Sequence, residues 1–188
     1  MTPYRLRFKY RGLPQGSQDA GKILMDIPSY ISGYVDGEGC FTVSFSPRPR
    51  LRVGWEVRPS FSVSQNADRS EVLTLMRRHF GCGTIRPDRS DRTVKYEVRS
   101  IDDLVTRIIP HFETVPLMSG KAKDFQRFAK VCKLVRLGAH LTAPGFRQVA
   151  DLALGMNVSG RRRFTLERLI GPSDLEVIVS ATSNGGST

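Results

Sequence analysis

Hydrophobic and polar residues change period several times along this chain, and each change marks an element. Phe41, Val43 and Phe45 alternate with Thr42, Ser44 and Ser46, a period of two that predicts a half-buried strand. After a turn carrying Pro47 and Pro49 the alternation resumes, with Trp55, Val57, Phe61 and Val63 against Glu56, Arg58, Ser60, Ser62 and Ser64. Together the two segments read as a hairpin with a long basic connection. Upstream, Asp26 is a plausible N-cap and Pro28 suits the first turn of a helix through Ile31, Tyr34 and Val35 that stops at Gly39. From Asp68 to Phe80 the residues Val72, Leu73, Leu75, Met76 and Phe80 recur at helical spacing, and Gly81 ends the pattern. Thr84 to Arg86 and Val94 to Arg99 form a second hairpin, in which Val94, Tyr96 and Val98 alternate with Lys95, Glu97 and Arg99. Helices are then expected over Asp102 to about Phe112, Lys121 to Leu137 and Thr142 to about Met156, with a short last one ending at Gly171.

Helix, hairpin, helix, hairpin and trailing helices predict an α+β fold, with an antiparallel four-stranded sheet and helices on one face. The helices must cover the Phe41, Trp55, Phe61 and Tyr96 side. The other face is left to Thr, Ser, Arg, Lys and Glu side chains, which form either a solvated surface or one able to read base edges in a DNA major groove. Glycine and proline interrupt any period in residues 1–25, read as a basic N-terminal extension. Residues 26–171 form the folded domain, and 172–188 a tail.

Composition narrows the partner. The 188 residues carry a formal net charge of +11, with 39% hydrophobic and 25% charged residues, as expected of a globular protein with one core. No stretch approaches the roughly 18 apolar residues of a membrane span, and the first residues lack a secretory h-region. A soluble intracellular protein is expected, in the cytoplasm or nucleoid of a bacterium or in an organelle, with no membrane partner. Cys40, Cys82 and Cys132 are isolated, which argues against a disulfide framework or a cysteine zinc site. The positive charge is mostly arginine and clusters beside the strand segments, which favours a nucleic-acid groove over an anionic membrane.

The first helix does not make sense alone. Gly33 and Gly37 lie four apart on one face, and each costs about 1 kcal/mol relative to Ala. Small residues at this spacing let two helices approach closely, so pairing with a copy would recover the loss. Glu38 stands at the negative end of the helix dipole, unfavourable by about 0.3 to 1 kcal/mol. Pairing would also bring two carboxylates together, and a divalent cation at each would remove both penalties.

The run Ile31-Ser-Gly-Tyr-Val-Asp-Gly-Glu-Gly39 closely resembles the signature of the LAGLIDADG homing endonucleases, and the element order follows that family over about residues 27–170. The resemblance implies a saddle-like sheet and metal-assisted phosphodiester hydrolysis of double-stranded DNA. Glu38, helped by the Gly37 carbonyl, would hold Mg²⁺ or Mn²⁺. Gln65 would orient a metal-bound water, Arg69 would sit near the scissile phosphate, and Lys121, with Lys123 as competitor, would be the active-site lysine. Only one acid-bearing turn occurs, so the resemblance implies a homodimer joined through Gly33 and Gly37, a pseudo-palindromic site and a staggered double-strand break.

Candidate base readers are Thr42, Ser44, Ser46, Arg58, Ser60 and Ser62 on the first hairpin and Arg86, Lys95, Glu97 and Arg99 on the second. Arg48, Arg50, Arg52 and Arg89, in the turns, would extend the footprint. Arg161, Arg162 and Arg163 resemble a phosphate-contacting loop. A non-cleaving relative, either a maturase binding intron RNA or a regulatory DNA-binding module, is the first alternative. A basic ribosomal or RNA-binding α+β protein is the second, although it would leave Gly33, Gly37 and Glu38 unexplained.

Overall fold

The computed structural model of the chain describes residues 26–87, 92–157 and 164–170. The N-terminal extension, the C-terminal tail, Arg89 and Arg161 to Arg163 lie outside the described residues.

Helix α1 (Ile27–Glu38) starts with Asp26 at the N-cap position. The Asp26 carboxylate accepts from the Ser29 hydroxyl instead of capping a backbone amide, so the position is as expected but the capping bond is not made. At the other end Gly39 is already extended, and its N–H donates to the Val35 carbonyl. A Cβ at Gly39 would lie 2.4 Å from Val35 Cγ1, so a residue without a side chain lets α1 pass directly into strand β1 (Gly39–Pro47).

Strand β2 (Trp55–Asn66) returns antiparallel to β1, pairing Phe41 with Phe61 and Thr42 with Ser60. The second helix begins later than the apolar spacing implied: Ala67–Arg69 form a 3₁₀ turn, and α2 runs Glu71–Phe80. Gly81 terminates it with φ of 64°, a left-handed conformation that favours glycine.

Strands β3 (Thr84–Pro87) and β4 (Thr93–Val98) complete a sheet of order β1-β2-β4-β3, antiparallel throughout. β2 pairs with β1 over Trp55 to Val63 but with β4 only over Phe61 to Asn66. The two hairpins are therefore staggered along β2. Pro59 occupies a position with no β4 neighbour, where its missing N–H breaks no ladder on that side. At about 3.3 Å per residue, the 12 residues of β2 alone span about 40 Å.

The next helical stretch is continuous but irregular: α3 (Ile101–Asp103), a π turn (Leu104–Ile108) and α4 (Ile109–Thr114). Pro110 cannot donate to the carbonyl four residues back, and the wider turn lies just before it. Helix α5 (Lys121–Arg136) crosses the sheet, and α6 (Ala143–Leu154) follows, capped by the Thr142 hydroxyl, which accepts from Gly145 N. A short α7 (Leu166–Ile170) ends the described part.

Two apolar clusters lie on the helix side of the sheet. In the larger, Phe41 is the hub, with the rings of Phe61, Phe112, Phe125 and Phe128 centred 5.2–5.6 Å away. The smaller joins Phe45 and Val57 at the far end of the first hairpin to Phe146, Val149, Leu169 and Ile170. Trp55 belongs here, only half buried, with Phe164 edge-on to it at 5.1 Å. The single core expected from the composition is instead two clusters, which meet at Val43.

Candidate active site and nucleic-acid interface

The C-terminal turn of α1 is held by residues more than eighty positions away. Lys121 Nζ donates to the carbonyls of Val35 (2.9 Å), Gly37 (3.3 Å) and Gly39 (2.6 Å). Carbonyls at a helix C-terminus carry partial negative charge, and each can accept a second hydrogen bond, so an ammonium placed among them adds hydrogen bonds and opposes the dipole together. Lys123 is exposed, and Lys121 is the lysine of the pair that reaches this turn.

Asp36 makes the complementary bridge. Its carboxylate accepts from Met118 N and Ser119 N, both at 2.9 Å, and from Ser119 Oγ at 2.5 Å. Ser119 Oγ in turn accepts from Lys121 N at 3.1 Å. Partial burial pushes the Asp36 carboxyl upward, but the Ser119 hydroxyl, the two amides and the Lys121 charge outweigh it and bring it below the usual aspartate value. Helix end and α5 start are therefore locked to each other. Glu38, two residues beyond Asp36 and between the two carbonyls of Gly37 and Gly39 that Lys121 holds, is exposed.

Gln65 stands at the end of β2 as anticipated. Its Nε2 donates to the Tyr34 hydroxyl on α1, and its Oε1 accepts from Asn66 N at 3.0 Å. Arg69 is exposed on the 3₁₀ turn, ahead of α2 rather than within its first turn. Beneath α1, buried Ser32 donates to the Val115 carbonyl at 2.7 Å and lies 3.2 Å from His111 Nε2, whose Nδ1 is 3.1 Å from His79 Nε2. Burial, reinforced by the neighbouring His79, lowers the His111 imidazole to about 4.

The outer face of α1 is open. Gly33 and Gly37 are exposed, a Cβ built on either would meet nothing within 4 Å, and Tyr30 on the same helix is 41% exposed. Within the described chain nothing uses the space that these glycines leave.

On the sheet, strand register arranges the polar residues in rows. Thr42 faces Ser60, with their hydroxyls 2.9 Å apart, Ser44 faces Arg58, and Ser46 faces Glu56. The second hairpin adds Ser64 opposite Lys95 and Lys95 opposite Arg86. Arg48, Arg50, Arg52, Arg58, Arg86 and Arg99 are exposed. Two of the expected readers differ from that picture: Ser62 and Glu97, neighbours in the β2–β4 register, are each only 5% exposed. Glu97 is covered by Arg86 and Arg99, so its carboxylate is not an open acceptor.

A sequence profile of LAGLIDADG endonucleases matches residues 31–132, from the first residue of the α1 motif to Cys132 in α5. The chain belongs to this family. It is 34% identical over 128 residues to the probable intron-encoded endonuclease 3 of Neurospora crassa, covering 68% of this chain and 24% of that protein. The chain thus spans about a quarter of the length of this and two other curated relatives that it matches. The crystal structure of the homing endonuclease I-TnaI is similar with a TM-score of 0.67 and 32% identity, over 80% of this chain and 97% of that one. I-LtrWI, a LAGLIDADG homing endonuclease solved bound to its target DNA, gives 0.69 and 33% over 73% of this chain and 46% of that one. The shared fold is the helix-covered, four-stranded antiparallel sheet expected from the alternation.

Asp36, Ser119 and Tyr34 were not singled out in the sequence. Asp36 had a visible signal, a second acid two residues before Glu38, but its partners lie 82 and 83 positions away. Among the described residues no helix is long and apolar enough to cross a membrane, and the three cysteines are free.

Proposed function

We propose that the chain is a site-specific homing endonuclease that makes a staggered double-strand break in a long pseudo-palindromic DNA site, acting as a homodimer with a divalent metal. The observation that carries this reading is the exposed Glu38 at the end of a helix whose outer face is open, beside a polar, arginine-rich sheet. Its domain would span residues 26–171, flanked by a basic extension and a tail.

Donor chemistry supports Mg²⁺ or Mn²⁺. No group of three or more His, Cys, Asp or Glu gathers among the described residues, so one chain offers no complete protein cage. Mg²⁺ does not need one, because it keeps several waters and takes one or two carboxylates together with substrate phosphates. Glu38 and the Gly37 carbonyl would hold it, the second lone pair of that carbonyl being available beside Lys121. Such an ion supplies charge stabilisation at phosphate oxygens and acidifies water.

The chain's own residues supply position. Lys121 and Asp36 fix the turn that carries Glu38 and Gly37. Gln65, tied to Tyr34 on α1, would orient water near the phosphate, and Arg69 would contact the phosphate itself. Pairing of Gly33 and Gly37 faces would bring two such turns to the middle of the DNA. The sheets would lie outward along the half-sites, where β2 alone, at about 40 Å, matches roughly a dozen base pairs at about 3.4 Å each. The 46% share of I-LtrWI and the 97% share of I-TnaI are what one unit would cover in a two-unit and a one-unit chain.

The test is cleavage of a plasmid bearing the joined sequences that flank the coding element, with Mg²⁺ and with EDTA. Staggered linear product only with Mg²⁺ supports the reading. Tight binding without cutting would replace it with a DNA-binding module, and preferential binding of intron RNA with a maturase. Light scattering that finds a monomer at micromolar concentration, with and without DNA, would remove the dimer.

A further inference from the structure

Among the described residues Glu97 is the carboxylate buried most completely, and it lies on the face expected to be open. A buried carboxylate loses its hydration, which is tolerable only with close opposite charge. Here two arginines supply it at one oxygen: Arg86 donates through Nη2 to Glu97 Oε2, and Arg99 lies with Nε 3.0 Å from the same atom. They arrive from different strands, Arg86 from β3 and Arg99 from just past β4. Their side chains remain 57% and 65% exposed, so the carboxylate is covered while the cations face outward. A guanidinium has five N–H donors, and a single bond to Glu97 leaves enough for a two-point contact to a base edge.

We propose that Glu97 determines specificity indirectly, by holding Arg86 and Arg99 as one rigid pair that reads guanines at the same or adjacent base pairs. This rests on the reading of the sheet as the DNA-binding face. Free arginines must be ordered on binding; a pair already fixed on a buried acid is not, and it penalises any site whose acceptors are displaced. With both guanidinium groups on one oxygen, their donating nitrogens lie within about 6 Å of each other, so the remaining N–H groups fall within reach of one base pair or of neighbours at the roughly 3.4 Å step between bases. The cleft beside them, about 340 Å³, also carries Asp103 and Ser100, and this mixture of acceptors with donors suits a base edge better than a phosphate. The fork at Glu56 is the counterexample on the same face: Arg58 at 2.8 Å and Arg48 at 3.5 Å share a carboxylate that is 30% exposed, so the acid can release them to water.

The experiment uses the full chain. Sites are selected from a randomised duplex library, and affinities for the best site and its single-base variants are compared for the wild type, R86A, R99A, E97Q and E56Q. R86A and R99A should each reduce discrimination about tenfold at one position, with the two positions coincident or adjacent. E97Q should reduce discrimination at both of them by about fivefold or more while affinity for random DNA holds or rises, since a negative charge is lost. E56Q makes the same charge change and should leave those two positions as they were. If E97Q does not give a cooperative thermal melt, E97D, which withdraws the carboxylate by one methylene, is read at the same positions. Undiminished discrimination in E97Q or its substitute, or a uniform loss across all sequences in R86A and R99A, overturns the proposal. A library that yields no preferred duplex for the wild type overturns instead the DNA reading on which it rests.

Discussion

The tip of α1 and the polar face of the sheet are built on opposite principles. At the tip, three carbonyls, one ammonium and one carboxylate converge within a few residues, each held by a partner more than eighty positions away. On the sheet, charge is spread along rows that follow from strand register, and most of it is exposed. Concentrated sites fail when one group is lost, whereas distributed ones weaken in steps. The Glu97 fork is the exception on the sheet, because there a buried acid again makes two residues depend on a third.

The largest effect should come from Glu38. Glu38→Gln keeps the size but removes the charge, and cleavage should fall by at least about a thousandfold with binding nearly intact. Equal loss of both in gel-shift and plasmid assays would make Glu38 structural. Next, Lys121→Met strips the helix end of its three-carbonyl cap. Cutting should drop by about a hundredfold and stability by about 2 kcal/mol. Lys123→Met should do neither, and equal effects would erase the distinction between tip and surface.

Acid should act on the support beneath the tip. His111 titrates near 4 in the fold against its ordinary 6.5, so the unfolded chain takes up the proton first as pH falls. Stability should therefore be complete above pH 6.5 and drain toward pH 4, by about 2 kcal/mol after allowance for partial solvent access. Denaturant melts across that range should show a slope that flattens in His111→Gln; an unchanged slope would mean that other groups govern it.

On the sheet the steps are smaller. Arg58→Ala should reduce affinity about threefold to tenfold and, if it contacts phosphate, lower the salt dependence of binding by about one. A loss confined to one base pair would make it a base reader instead. Glu56→Gln, at a solvent-screened pair, should leave the thermal melting midpoint unchanged.

Much of this was legible in the residues. Alternation at Phe41 to Ser46 and at Val94 to Arg99 named both hairpins and the faces they bury, because a period of two leaves few other ways to hide aromatic side chains. Helix boundaries were less legible: the Val72 to Phe80 spacing could not reveal that Ala67–Arg69 would tighten into a 3₁₀ turn. The π turn before Pro110 and the division of the core also depend on how elements meet.

Sequence by itself determined the α+β order, the polar sheet face and the singularity of Glu38, since periodicity and motif chemistry are local properties. Only the tertiary structure decided that Lys121 and not Lys123 closes the helix end, that Asp36 belongs to the same assembly, and that Glu97 is buried under two arginines. The reason is physical: hydrogen-bond partners 82 to 86 residues apart, and strands joined by register rather than by sequence, become neighbours only when the sheet and α5 pack.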